Sequence, residues 1–249
     1  LSLLITIIRD DLRVGNDIIL RDQIVEFLHR VKMNPDMGDL KFVKDKTLDF
    51  CKKQAMKDAL ENLIENNMTG LILDLRDNPG GLLNSAVNIL DMFTEKGQLL
   101  VYTEGKTYKS KRKYISKSAP LVPNEIKITV LVNQGSASAS EIVAGVLQDV
   151  DRGVVIGRST FGKGLVQTVI NIDRERSVKI TSAKYFIPSG RLIQKPGYLP
   201  KELLADTSSM DSIFFTKGGR PVSGLGGITP DYTVDLNNIE PNLDRNGLI

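Results

Sequence analysis

Short apolar runs in this chain alternate with segments of helical periodicity, and that alternation limits the folds it can adopt more than any other feature. Phe50, Met56, Ala59, Leu60, Leu63 and Ile64 recur on one helical face until Asn66-Asn67 and Gly70 end it, and the apolar run Leu71 to Leu75 follows. A second helical segment over Leu83 to Phe93 leads to the run Leu99 to Thr103. A third, Ala139 to Val150, lies between the runs Ile128 to Val132 and Val154 to Ile156. Two β-patterned stretches come later, Leu165 to Ile172 and Val178 to Phe186. Strand-like runs also open the chain at Leu3 to Ile8 and Asp17 to Arg21, joined by a turn near Gly15, and recur at Phe27 to Met33 and Leu40 to Lys44. Strands that are apolar throughout are covered on both faces, so the alternation predicts a layered α/β fold.

The 249 residues, 41% of them hydrophobic, suffice for one substantial core, and no apolar stretch is long enough to span a membrane. With 33 basic and 30 acidic residues the net charge is only +3, which gives no electrostatic case for a nucleic-acid partner. The basic cluster Lys109 to Lys117 reads as a charged loop or hairpin. Cys51 is the one cysteine, so no internal disulfide forms, and this is neutral about compartment. The glycine-rich stretch Leu199 to Gly227 reads as a loop insertion.

Chemistry concentrates in Asn133-Gln134-Gly135-Ser136-Ala137-Ser138-Ala139-Ser140-Glu141-Ile142, which places three serines at a strand-to-helix turn. Backbone N–H groups at a helix start are unpaired and favour developing negative charge, so a serine there sits beside half of an oxyanion hole. The plainer reading is a capping box, since Ser138 and Glu141 fit S-x-x-E. A base is what would separate the two readings, because a serine hydroxyl is a weak nucleophile until its proton is removed. His29 is the single histidine, far upstream and outside any glycine-rich turn, and suits a strand position better than a triad. Lys163 stands apart from the other lysines: Gly162 and Gly164 flank it, Val154-Val155-Ile156 precede it and Leu165-Val166 follow. A lysine held against packed backbone can lose its water and serve as a base. Gly157-x-x-x-x-Gly162-Lys163 imitates a phosphate-binding loop, but Gly164 stands where Ser or Thr would hold magnesium, and a β-patterned stretch follows where a helix is needed.

Taken together, the segments Asp74 to Gly81, Ser136 to Ile142, Gly162 to Gln167, Ala183 to Gln194 and Gly227 to Asp231 closely resemble the ordered motifs of the carboxy-terminal processing, or tail-specific, serine peptidases. Those motifs are D-L-R-x-N-x-G-G, S-A-S-A-S-E-I, G-K-G-x-x-Q, A-K-Y-x-x-P-S-G-R-x-I-Q and G-I-x-P-D. The resemblance implies a crotonase- or Clp-protease-like layered core of ββα units with extra β strands. By position it implies Ser138 as nucleophile and Lys163 as general base, whose separation, 163 − 138 = 25, Ser136 and Ser140 would each miss by two. It further implies Gln167 as the residue that orients the lysine amine. The oxyanion donors would be the Ala139 N–H and that of Gly80 or Gly81, with the choice between the glycines open. Asp149 reads as structural. No cofactor or metal is implied, and the partners are polypeptide substrates bound through their C-terminal region.

Relatives of this kind carry a PDZ domain, and residues 1–25 resemble only its last two strands, so the expected organisation is a PDZ remnant over 1–25 and a catalytic domain over 26–249. The expectation is of a fragment or of a chain whose leading segment is absent, acting outside the cytoplasm in a bacterial periplasm or cell envelope. Two other functions fit the same fold: a catalytically silent ligand-binding module and a crotonase-type acyl-CoA enzyme. The joint presence of Ser138, Lys163 and Gln167 argues against a silent module.

Overall fold

The computed structural model describes residues 4–8, 40–173, 176–195, 213–224 and 226–234, with the side chains of 4–8, 40–52 and Lys109 outside that description. The strand-like runs at Asp17 to Arg21 and Phe27 to Met33, His29, and the greater part of 199–227 fall outside it.

Among the described residues, two larger sheets and one two-stranded hairpin are formed. The first has the order β1 (Leu4–Ile8), β2 (Gly70–Asp74), β5 (Lys127–Val132), β6 (Val154–Gly157) and β11 (Tyr232–Thr233). Strands β2, β5, β6 and β11 run parallel, and β1 adds antiparallel to β2 with Ile5 opposite Leu73. The second sheet is antiparallel, in the order β4 (Arg112–Ile115), β3 (Leu99–Glu104), β8 (Ser177–Phe186), β7 (Leu165–Asn171). A hairpin of β9 (Ile213–Phe215) and β10 (Pro221–Ser223) lies within the stretch expected as a loop insertion. The basic cluster 109–117 contributes β4, the outer arm of a hairpin with β3.

Among the described residues, three helices cover the parallel sheet: α1 (Leu40–Glu65), α2 (Leu83–Leu90) and α3 (Ala139–Asp149). Met56, Ala59, Leu60 and Leu63 are the buried stripe of α1, at the spacing that the sequence pattern predicts. Every residue of α3 is buried, as suits a helix apolar on most of its circumference. Leu73, Val130 and Val155 from neighbouring strands are fully inaccessible beneath the helices.

Two expectations are corrected. Leu40 to Lys44 is the first turn of α1 and not a strand. Leu40, Phe42 and Val43 are apolar and Lys41 and Lys44 polar, five residues too few to fix a period, and with no glycine or proline between Leu40 and Glu65 the longer helical pattern prevails. Helix α2 stops at Leu90, three residues early, because Met92 and Phe93 donate to the carbonyls of Ile89 and Leu90, the tightened turn of a helix end. Leu4–Ile8, expected within a PDZ remnant, pairs along its whole length with β2 and extends the core sheet.

One ion pair fastens α3 to the segment after β8. Asp149 and Arg191 are both inaccessible to solvent, and Nη2 of Arg191 lies 2.7 Å from Oδ1 of Asp149. Ser189 N–H donates to Asp149 Oδ2 at 2.9 Å, and Arg191 donates to Gln148 Oε1 and to the Ser223 carbonyl. Burial raises the Asp149 carboxyl above its ordinary range and lowers the Arg191 guanidinium, each opposed by the other's charge. Removing one partner strands the other, so Arg191→Leu is expected to cost about 3–5 kcal/mol in urea unfolding. The double change Asp149→Leu with Arg191→Leu is expected to recover part of that loss.

Candidate active site

Because β2, β5 and β6 are parallel, the segments that leave their C-terminal ends emerge on one edge of the sheet, the usual location of a site in an open α/β sheet. These segments are Leu75 to Gly81, Asn133 to Ser138 and Arg158 to Gly164, the first three motifs of the sequence. They are sewn together by backbone and side-chain hydrogen bonds. Ala137 N–H donates to the Asn78 carbonyl at 3.0 Å and Phe161 N–H to the Ser136 carbonyl at 2.9 Å. Asn133 accepts from Asp77 N–H at 2.9 Å and donates to the Asp77 carboxylate at 3.0 Å.

The three serines have different environments. Ser136 is fully buried, and its hydroxyl donates to the Leu75 carbonyl at 2.7 Å while accepting from Asn133 N–H at 3.0 Å. Ser140 is 4% exposed inside the first turn of α3. Ser138 alone is half open to solvent. Its backbone takes φ 58 and ψ −114, a left-handed conformation that side chains rarely adopt. Strain of this kind persists only when neighbours impose it, and it gathers at functional sites.

The main neighbour is Glu141, whose carboxylate is fully buried in the first turn of α3. Oε2 accepts the N–H of Ser138 at 2.7 Å and that of Lys163 at 2.9 Å. Oε1 accepts the Thr160 hydroxyl at 2.6 Å and Gly162 N–H at 2.7 Å. All four partners are donors, the set that a carboxylate without a proton satisfies, and the helix N-terminus favours its charge. The capping interaction predicted for Glu141 is therefore made, and the same side chain fixes the lysine turn. Tyr185, 2% exposed on β8, closes the opposite side: its hydroxyl is shared between the Lys163 carbonyl and the Ser138 carbonyl, the latter at 3.3 Å. Burial, and then the Glu141 charge, push the Tyr185 phenol well above its ordinary range, so it stays a donor.

The lysine turn rests on the remaining two motifs. Gly164 N–H donates to Gln194 Oε1 at 2.8 Å and Lys195 N–H to the Gly162 carbonyl at 2.9 Å. Gly162 has φ +88, and a Cβ there would lie 2.8 Å from Cβ of Lys195. Thr160 exchanges bonds with Ile228, donating its N–H to the carbonyl and accepting Ile228 N–H on its hydroxyl. No helix follows the lysine; the chain enters β7, so the phosphate-loop geometry is absent here.

All five motif segments thus meet around Ser138 and Lys163, and residues 43–203 match the peptidase family S41. The chain belongs to that family. It is 40% identical over 183 residues to a carboxy-terminal-processing protease of Bartonella bacilliformis, covering 73% of this chain and 42% of that protein. It is 37% identical over 165 residues to a chloroplastic C-terminal processing peptidase of Tetradesmus obliquus, covering 65% of this chain and 34% of that protein. The chain therefore spans less than half the length of these curated relatives. Among solved structures, a photosystem II D1 C-terminal processing protease superposes with a TM-score of 0.55 at 31% identity, over 74% of this chain and 39% of that one. A putative S41 protease from Bacteroides fragilis, at 16% identity and a TM-score of 0.51 over 82% of this chain and 45% of that one, shares the fold. The layered, Clp-protease-like α/β core expected from the motifs is the fold of this S41 chain.

Within that core the other expected site residues are placed as follows. Gly80, with φ +83, packs so closely on the serine turn that a Cβ would lie 2.4 Å from the Ala137 carbonyl oxygen and 2.6 Å from Ala139 N. Its own N–H donates to Asn78 Oδ1 at 3.0 Å. The N–H groups of Gly81 and Ala139 make no hydrogen bond among the described residues. Lys163 is half-buried and Gln167 is exposed on β7; no hydrogen bond joins Lys163 Nζ to Ser138 Oγ or to Gln167. Sequence reasoning had not singled out Thr160, Tyr185 or the pair Asn78 and Asn133. Tyr185 lies inside the A-K-Y motif, and that membership was its only signal.

Replacing Glu141 by Gln would set an amide NH2 against two of the four donors, and is expected to cost at least about 2 kcal/mol. Amide hydrogen exchange at Gly162 and Lys163 should accelerate far more than in the strands of the second sheet. Tyr185→Phe keeps the ring and frees the two carbonyls, with an expected loss of about 1 kcal/mol in thermal or urea unfolding.

Proposed function

We propose that this chain is the catalytic core of a serine endopeptidase that cuts polypeptides near their C-termini, with Ser138 as nucleophile and Lys163 as general base. The observation that carries the reading is the state of Ser138. It is the open serine of the three, held in a strained backbone at the start of α3 and tied through Glu141 to the backbone of Lys163.

In the proposed reaction the neutral amine of Lys163 takes the proton of Ser138 as Oγ bonds to the scissile carbonyl carbon. The oxyanion that forms is received by Ala139 N–H at the helix start and by Gly81 N–H, since Gly80 N–H is engaged by Asn78. Lys163 then passes the proton to the leaving nitrogen, the C–N bond breaks and an acyl-enzyme remains. Water, deprotonated by the same lysine, adds to the ester carbonyl carbon; the bond to Ser138 Oγ then breaks, Lys163 returns the proton to Oγ, and the new C-terminus is released. Gln167 orients the lysine amine through its side-chain amide when substrate orders the site. We take the absence of a hydrogen bond between the Ser138 and Lys163 side chains as the resting arrangement, because catalytic hydrogen bonds commonly tighten only with substrate in place. The partners are polypeptides recognised by their C-terminal region, and the site of action is extracytoplasmic. No helix among the described residues is long and apolar enough to cross a membrane.

A fluorophosphonate probe tests the assignment. Mass spectrometry is expected to find the phosphonyl group on Ser138, with labelling lost in Ser138→Ala and retained in Ser140→Ala. Lys163→Ala is expected to lower peptide cleavage about 10²–10⁴-fold, the usual contribution of a general base. Labelling on another serine, or undiminished cleavage by Lys163→Ala, would reject it.

A further inference from the structure

Strand β7 leaves the lysine turn at Leu165 and is the last strand of the second sheet, and among the described residues no strand pairs with its outer side. Its sequence, Leu165-Val166-Gln167-Thr168-Val169-Ile170-Asn171, contains neither a charged residue nor a proline. Those are the devices by which proteins ordinarily block an open edge, and without them the edge is a row of backbone donors and acceptors free to take another strand.

The two faces of the β7–β8 arm differ. Its register sets Thr168 opposite Ile180 and Ile170 opposite Val178, so Thr168, Ile170, Ile172, Val178 and Ile180 share one face. Gln167, Val169, Asn171, Ser177, Lys179 and Thr181 occupy the other. On the first face Ile170 is 50% exposed, Ile172 62%, Val178 41% and Ile180 46%. Four branched aliphatic side chains in one exposed row are unusual on a protein surface and mark a place where something apolar is received.

We propose that the outer edge of β7 receives an extended polypeptide as an added strand, and that the aliphatic row selects apolar side chains at every second position of it. The occupant is the substrate on its way to Ser138, an assignment that rests on the peptidase reading above. The reason is continuity: the edge begins two residues beyond Lys163, so a chain paired to it is delivered along the strand to the lysine turn. At about 3.4 Å per residue, Ile170 lies about 17 Å along the strand from Leu165, so its contacts fall about five substrate residues from the bond that is cut. Backbone pairing supplies affinity, and the alternating apolar contacts supply preference.

Binding is measured on the Ser138→Ala chain by the fluorescence anisotropy of a labelled peptide of about ten residues with Val or Ile at alternate positions. Ile170→Lys combined with Ile180→Lys is expected to weaken it about tenfold or more, while Val169→Lys on the opposite face changes Kd less than about twofold. N-methylation of one alternate set of peptide amides is expected to abolish binding, and of the other set to leave it. Failure of the peptide to bind, equal losses on both faces, or indifference to N-methylation would overturn the inference. So would a dimer in sedimentation that the Ile170 and Ile180 changes dissolve without altering peptide binding, since a second copy would then be the occupant. Fluorophosphonate labelling of the unaltered chain reads the catalytic assignment separately. Labelling without peptide binding removes only the strand edge, and binding without labelling removes only the catalytic role.

Discussion

A single buried carboxylate holds this site together. Glu141 lies in the first turn of α3 and accepts hydrogen bonds from Ser138, Thr160, Gly162 and Lys163, residues from two different loops. An unpaired carboxylate in so enclosed a place would be severely destabilising, and four donors together with a helix N-terminus offset that cost. The consequence is mutual dependence. The serine turn keeps its strained shape because Glu141 holds its N–H, and Glu141 tolerates burial because the lysine turn supplies donors. Tyr185 completes the clamp from the carbonyl side, so each turn is gripped through both its N–H and its C=O groups.

The rest of the fold delivers loops to that carboxylate. Parallel β2, β5 and β6 bring three segments to one edge, and Gly80 lets the first lie directly against the second. At the far end of α3 the Asp149–Arg191 pair fixes the helix to the segment that runs on to Gln194, and Gln194 in turn receives Gly164 N–H. A helix pinned at both ends by buried charge presents its N-terminus in one orientation, which pre-organised stabilisation of an oxyanion requires.

Much of this was legible in the sequence, for identifiable reasons. Apolar runs and helical stripes placed β2, β5, β6, α2 and α3 to within a few residues, because a short apolar run between turn residues and a stripe at helical spacing are both patterns along the chain. Leu40 to Lys44 was misread because five residues cannot separate a period of 2 from one of 3.6 when the flanking helix supplies the deciding context. The five motifs were visible as motifs, yet the parts of Asn78, Thr160 and Tyr185 were not. A side chain that donates to a backbone carbonyl or accepts a distant N–H leaves no periodic trace along the chain.

By itself, then, the sequence determined the layered α/β class, the family and the candidate pair Ser138 and Lys163, because patterning and spacing are properties of the chain in one dimension. The tertiary structure decided which serine is open, which glycine keeps a free N–H, and which carboxylate joins the two turns. Those depend on what packs beside each group in space. Ser136, Ser138 and Ser140 are near-equivalent as letters, and they differ only in that Leu75 and Asn133 take up the first while helix packing encloses the third.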